Sequence, residues 1–306
     1  MGRPRPTSGT AAAREGRAAL SAVPILSLLW GLNWPAVRLC LEEIPPWALR
    51  SSGMAGAGIV LLLAAAATGR PLAVPAAHRL RLVLTGLLQL AAFNVLLAYA
   101  QLQAATGRAA IVAFTMPVWT ALLAWPVLGE RPDRRRLSGL GFGLAGLAAL
   151  ALPLWHRGAL SLGLLWALLG GMAWAAGTVA SKRWPIEAPA LTVAGWQLLI
   201  GAAGAGVGML VFEGLPGSWP VLAATRWAFA YHLLLAQALA YPLWFAVLPR
   251  LSAGAATLGI LPVPAVGVLG AALVLGERPT ASDLLGLLLV LAAAATILAP
   301  ARHPPR

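Results

Sequence analysis

"LGERP" occupies residues 128–132, and the same five residues return at 275–279. Asp133, Arg134, Arg135 and Arg136 follow the first copy; Thr280, Ala281, Ser282 and Asp283 follow the second. Other matches share this spacing of 147: Gly107 with Gly254, Ala109 with Ala256, Pro117 with Pro264, Gly139 with Gly286. Nearer the N-terminus the offset shortens. "LLWGLNW" at 28–34 aligns with "LLGGMAW" at 168–174, and Pro45 with Pro185, an offset of 140. Drifting offsets of this kind are what loop-length changes between two duplicated halves produce.

The chain as a whole is 60% hydrophobic and only 10% charged, against roughly 25% charged in soluble domains. Apolar runs of about 20 residues, the length that crosses a bilayer, recur from Leu20 to Pro300. They lie near 20–40, 46–68, 80–101, 107–128, 137–155, 160–180, 189–212, 227–248, 254–275 and 282–300. The expected fold is therefore an all-α polytopic membrane protein of ten transmembrane helices. The halves are 20–155 and 160–300, with a basic tail at 1–19 and a short one at 301–306. Leu20 to Cys40 is longer than a signal-peptide core and is interrupted by Asn33, so it reads as a retained first span.

A unit of five spans enters the membrane from opposite sides in its two copies, which makes this a 5+5 inverted repeat. The first "LGERP" then ends span 4 on one side, and the second ends span 9 on the other. With the N-terminus cytoplasmic, sixteen of the 22 Lys and Arg residues fall inside and six outside, Arg50 and Arg108 among the six. The acids divide four and five, so the asymmetry belongs to the cations, as the positive-inside rule requires. Both termini are expected in the cytoplasm. The net charge of +13 thus records topology, and no nucleic-acid partner is expected. Lone Cys40 excludes an intrachain disulfide.

No GxxxxGK[ST] loop is present for ATP, and no His/Cys cluster has metal spacing. No cofactor or metal is expected, and no carboxylate pair faces another within a span, which argues against an enzyme. No Asp, Glu, Lys or Arg lies near a span centre, so any central cavity is expected to carry no fixed charge. His232, one to two turns into span 8, is the nearest ionisable group. It reads either as an interfacial hydrogen bond or as a proton site.

The span centres hold neutral polar and aromatic residues instead. Span 1 has Trp30, Asn33 and Trp34. Span 3 places Asn94, Ala98 and Gln101 on one face. Span 4 has Thr115 and Trp119 about Pro117, and span 6 has Trp174 and Thr178. Span 8 presents Gln237, Tyr241 and Trp244 together. Pro117 and its repeat equivalent Pro264 read as hinges, or as kinks compensated by packing. Gly139/Gly143 and Gly204/Gly208 have GxxxG spacing, read as close packing within the chain rather than a dimer face.

"WGLNWP" in span 1, "MPVWTALLAWPVLGERP" in span 4 and "LPVPAVGVLGAALVLGERP" in span 9 resemble the EamA repeats of the drug/metabolite transporter superfamily. The resemblance covers nearly all of residues 20–300 and is greatest to YddG-type amino-acid exporters. It implies a bacterial inner-membrane exporter of aromatic or other neutral amino acids, with no partner besides solute and lipid; a monomer is compatible with it. It also implies a cavity lined by spans 1, 3, 4, 6, 8 and 9. That brings Trp30, Asn33, Asn94, Thr115, Trp119, Trp174, Gln237, Tyr241 and Trp244 toward the solute. Export of another neutral metabolite or drug, and a channel or sensor, are the competing readings.

Overall fold

A computed structural model of the chain describes residues 8–130, 134–156, 161–217, 222–247 and 262–298. Ten helical runs fill them: α1 (Ser8–Cys40), α2 (Pro46–Ala67), α3 (Ala76–Gln103), α4 (Thr106–Leu128) and α5 (Arg134–His156) form the first half. The second half holds α6 (Leu162–Arg183), α7 (Ala190–Glu213), α8 (223–247), α9 (Pro262–Leu275) and α10 (Ala281–Leu298). No strand occurs among the described residues. α2, α3, α4, α6 and α7 are each long and apolar enough to cross a bilayer, and α5, α9 and α10 contribute shorter apolar stretches. The expected start of span 9, residues 254–261, lies outside the described residues.

α1 begins at Ser8, twelve residues before its apolar run. The reason is local: "TAAAREGRAAL" at 10–20 is rich in Ala, the strongest helix former. Packing follows the repeat. α2 lies on α7, α5 on α10, α1 on α9, α4 on α6, α3 on α6 and α1 on α8. Advancing each helix by five, modulo ten, maps α2–α7 and α5–α10 onto themselves. It also exchanges α1–α9 with α4–α6, and α3–α6 with α1–α8. This is the pair pattern of a pseudo-two-fold axis between two inverted halves.

Without a hydrophobic drive between helices in lipid, close approach through small residues holds such pairs together. A Cβ built on Gly58 of α2 would lie 3.0 Å from the Gly195 carbonyl oxygen, and one on Gly195 would lie 3.4 Å from that of Gly58. Gly143 packs on Val118 and Gly204 on Leu87 and Ala91, all within the chain.

The repeated pentapeptide is a helix stop. Its glycines, Gly129 at φ 73° and Gly276 at φ 67°, are left-handed, the conformation that terminates helices and that glycine adopts without penalty. Each turns the chain back over the helix end. The Glu130 amide donates to the Ala124 oxygen and the Glu277 amide to the Ala271 oxygen, both at 3.3 Å.

Three helices depart from α geometry. The backbone widens into π turns over Gly86–Ala92 in α3, Met209–Glu213 in α7 and Tyr231–Leu239 in α8. α3 and α8 are equivalent across the repeat. α4 is interrupted at Phe114–Thr115 and resumes at Met116. Pro117 therefore sits in the first turn of a new segment, where its missing N–H is no loss.

Candidate functional site

A cavity opens where both halves meet. α1 supplies Trp30, Asn33 and Trp34, and α3 supplies Phe93, Asn94, Leu97 and Gln101 at helical spacing. Phe114 and Met116 enter from the α4 break, Trp174 from α6, and Val263 from α9. α8 adds His232, Ala236, Gln237 and Tyr241, and α2 adds Arg50.

The aromatic part centres on Trp30. Its ring stands edge-on to Trp174 at 6.5 Å and to Tyr241 at 5.7 Å, and lies 5.6 Å from Trp244. Phe93 adds a contact to Trp174 at 4.8 Å. Edge-to-face pairs of this kind hold the rings beyond mere burial. The Trp30 indole also donates to the Ala236 oxygen at 3.1 Å, inside the widened stretch of α8.

The polar part depends on the same stretch. The Gln237 amide donates to His232 Nε2 at 2.6 Å, and His232 Nδ1–H donates to Asn33 Oδ1 at 2.8 Å. Residues five apart stand about 140° apart around a regular α-helix; the wider π turn brings His232 and Gln237 to one side. Both ring nitrogens are thus satisfied in a neutral imidazole, the tautomer being fixed by the network. Opposite them, a Cβ on Gly53 of α2 would lie 3.0 Å from His232 Cδ2 and 3.1 Å from Nε2.

The expectation of an uncharged cavity fails at Arg50. It stands on the fifth residue of α2, which hydropathy alone assigns to the span edge. Its side chain is long enough to run inward, and the residue is only 2% exposed. Nη1 donates to Asn94 Oδ1 at 3.2 Å, while Asn94 Nδ2 donates to the Leu90 oxygen and Tyr241 is hydrogen-bonded to Asn94 as well.

Of the residues singled out by sequence, Trp30, Asn33, Asn94, Trp174, Gln237, Tyr241 and His232 line this cavity. Thr115 and Trp119 do not. The α4 break turns Thr115 Oγ1 toward the Val112 oxygen at 2.7 Å, and the Trp119 indole donates to Thr115 at 3.0 Å, so the two satisfy each other. Trp244 meets Trp30 at 5.6 Å without being among the lining residues. Pro264 is the third described residue of α9, next to the lining Val263. Sequence reasoning missed Arg50, Phe93, Phe114 and Met116. The first had a usable signal: an arginine one turn inside a span, followed at i+3 by a glycine.

Carboxylates join the two halves on one face of the molecule. Glu277, in the second "LGERP", accepts from the Thr106 and Gly107 amides at 2.7 and 3.0 Å, at the N-terminus of α4. Glu213 accepts from the Trp47 and Ala48 amides of α2, both at 2.9 Å. Glu43 accepts from the Leu222 amide ahead of α8. All three join opposite halves and place negative charge at the positive ends of helices. On the other face the halves meet through backbone carbonyls: Thr192 Oγ1 donates to the Pro71 oxygen at 2.9 Å and the Trp196 indole to the Leu72 oxygen at 2.8 Å.

An inverted pair of five-helix units around a shared cavity is an architecture common among membrane transporters. The comparison with known families is specific. The chain belongs to the EamA-like transporter family, whose model matches residues 18–152 and again 161–299. It is 24% identical over 272 residues to the transporter YoaV of Bacillus subtilis strain 168, covering 87% of this chain and 91% of that one. It is 26% identical to a probable amino-acid metabolite efflux pump of Salmonella typhimurium, covering 88% and 90%. It is 27% identical to a probable terminal-alkyne amino-acid exporter of Streptantibioticus cattleyicolor, covering 88% and 89%.

Proposed function

We propose that the protein exports neutral amino acids with aromatic or large apolar side chains across the bacterial inner membrane, both termini in the cytoplasm. The observation that carries this reading is the aromatic wall of Trp30, Trp174, Tyr241 and Phe93 beside a hydrogen-bonding wall of Asn33, Asn94 and Gln237. The first suits an apolar side chain; the second suits a polar head. Two relatives whose names specify amino acids, spanning nearly the whole chain, point the same way. Transport proceeds by alternating access between the two halves, the two faces opening in turn. His232 is held in a neutral network and no carboxylate lines the cavity, which favours a facilitator over proton coupling.

Counterflow of labelled amino acids in liposomes tests the reading. Exchange that is accelerated by internal solute and indifferent to a pH gradient is the expected result. Exchange driven by the gradient assigns a proton step, with His232 as its site. A channel shows no acceleration, and absence of exchange with every neutral amino acid overturns the substrate assignment.

A further inference from the structure

Arg50 is a buried cation without a matching anion. No carboxylate among the described residues pairs with it; the ion pair they contain is Arg108 with Asp283. Among the described residues its guanidinium donates to the neutral amide oxygen of Asn94, and its Nε has no hydrogen-bond partner. A guanidinium presents five donors in a planar fork shaped for a carboxylate. Holding such a charge out of water is costly unless an anion meets it. Two acceptors on the same cavity are equally unmatched: Gln101 Oε1 and Gln237 Oε1 are buried and without partners. The cavity therefore offers one orphaned cationic donor and two orphaned neutral acceptors, next to aromatic faces that attract an ammonium.

We infer that Arg50 binds the carboxylate of the transported solute, and that Gln101 and Gln237 receive its ammonium. The inference rests on the amino-acid reading above and narrows it. The site takes a zwitterionic head group, and an amine or amide with the same side chain binds it more weakly. Asn94 is a positioning residue, orienting the guanidinium while also bonded to Tyr241.

The experiment compares four probes in the unaltered protein: phenylalanine, phenylalaninamide, phenethylamine and 3-phenylpropionate. It measures competition for counterflow in liposomes and ligand-induced change in tryptophan fluorescence in detergent, since Trp30 and Trp174 line the site. Phenylalanine is expected to bind roughly tenfold to a hundredfold tighter than phenethylamine and phenylalaninamide, the worth of a lost charge-assisted bond. Arg50→Gln should abolish this preference, and Arg50→Lys should restore part of it. Equal binding of phenylalanine and phenethylamine, or an unchanged preference in Arg50→Gln, overturns the role of Arg50 and leaves the exporter reading intact. Exchange of 3-phenylpropionate but of no amino acid, lost in Arg50→Gln, keeps the carboxylate anchor and overturns the amino-acid reading. A fluorescence signal from no carboxylate at all overturns the anchor.

Discussion

Arg50 and Arg108 start from equivalent places. Each lies in the first turns of an even-numbered helix, α2 or α4, close to an amide pair capped by a glutamate of the other half. They end differently. Arg108 meets Asp283 with two parallel bonds, Nε to Oδ1 at 2.6 Å and Nη2 to Oδ2 at 2.9 Å. Asp283 is itself bound to the Thr280 amide and hydroxyl at 2.8 and 2.7 Å, at the start of α10. Arg50 meets an amide oxygen and, among the described residues, no carboxylate. Burial alone does not say what a cation does; its partner does. A matched charge ties α4 to α10, whereas an unmatched one keeps its capacity for an incoming anion.

Removing the matched charge should give the largest effect on stability. Arg108→Ala leaves Asp283 buried without its cation, a loss of about 3 kcal/mol by the usual worth of such pairs. A thermal melt in detergent should fall by several degrees, while the affinity of the protein for its solute stays within about twofold. A melt that stays put while affinity collapses would invert the comparison between the two arginines. The double variant Arg108→Leu with Asp283→Leu should recover most of the lost stability, since no charge is then stranded.

Glu277→Gln should cost less, about 1 kcal/mol, the usual worth of a helix N-terminal cap. The cap keeps its acceptor but loses its charge, and the melt drops correspondingly less than for Arg108→Ala. The smallest effect is expected at Gly53, on the Arg50 side of the comparison. The Cβ of Gly53→Ala meets His232 at 3.0 Å, so His232 and Gln237 must yield by a few tenths of an ångström. Solute affinity should weaken roughly threefold, under 1 kcal/mol, with the melt unchanged. A lowered melt with unaltered affinity would show that α2 packs on α8 for stability alone.

The fold was legible because its signals are periodic or repeated. "LGERP" marks two equivalent helix ends through a left-handed glycine, and that geometry needs no tertiary context. Helical spacing likewise placed Asn94 and Gln101 on one face of α3. The cavity was only partly legible. Arg50 was assigned to the outer edge because hydropathy scores a residue where its Cα lies, not where its guanidinium ends. The meeting of His232 with Gln237 depends on a widened helix that a period of 3.6 does not anticipate. Thr115 and Trp119, on either side of Pro117, are expected toward the solute from the cavity that the family resemblance implies. Four residues apart, they share one helix face, and the Trp119 indole donates to the Thr115 hydroxyl there.

The widened turns have a historical consequence. Adding the repeat offset of 147 to Gly86–Ala92 of α3 gives residues 233–239, inside the widened stretch Tyr231–Leu239 of α8. Each π turn spends one residue more than an α-helix of the same length requires. The same surplus at the same register in both copies implies that it was already present in the five-helix ancestor before duplication. That ancestor, pairing with an inverted twin of itself, would have carried the bulge in both of its copies. Descent then kept the bulge and let its side chains diverge, so that one copy now carries His232 and Gln237 where the other carries Thr85 and Leu90.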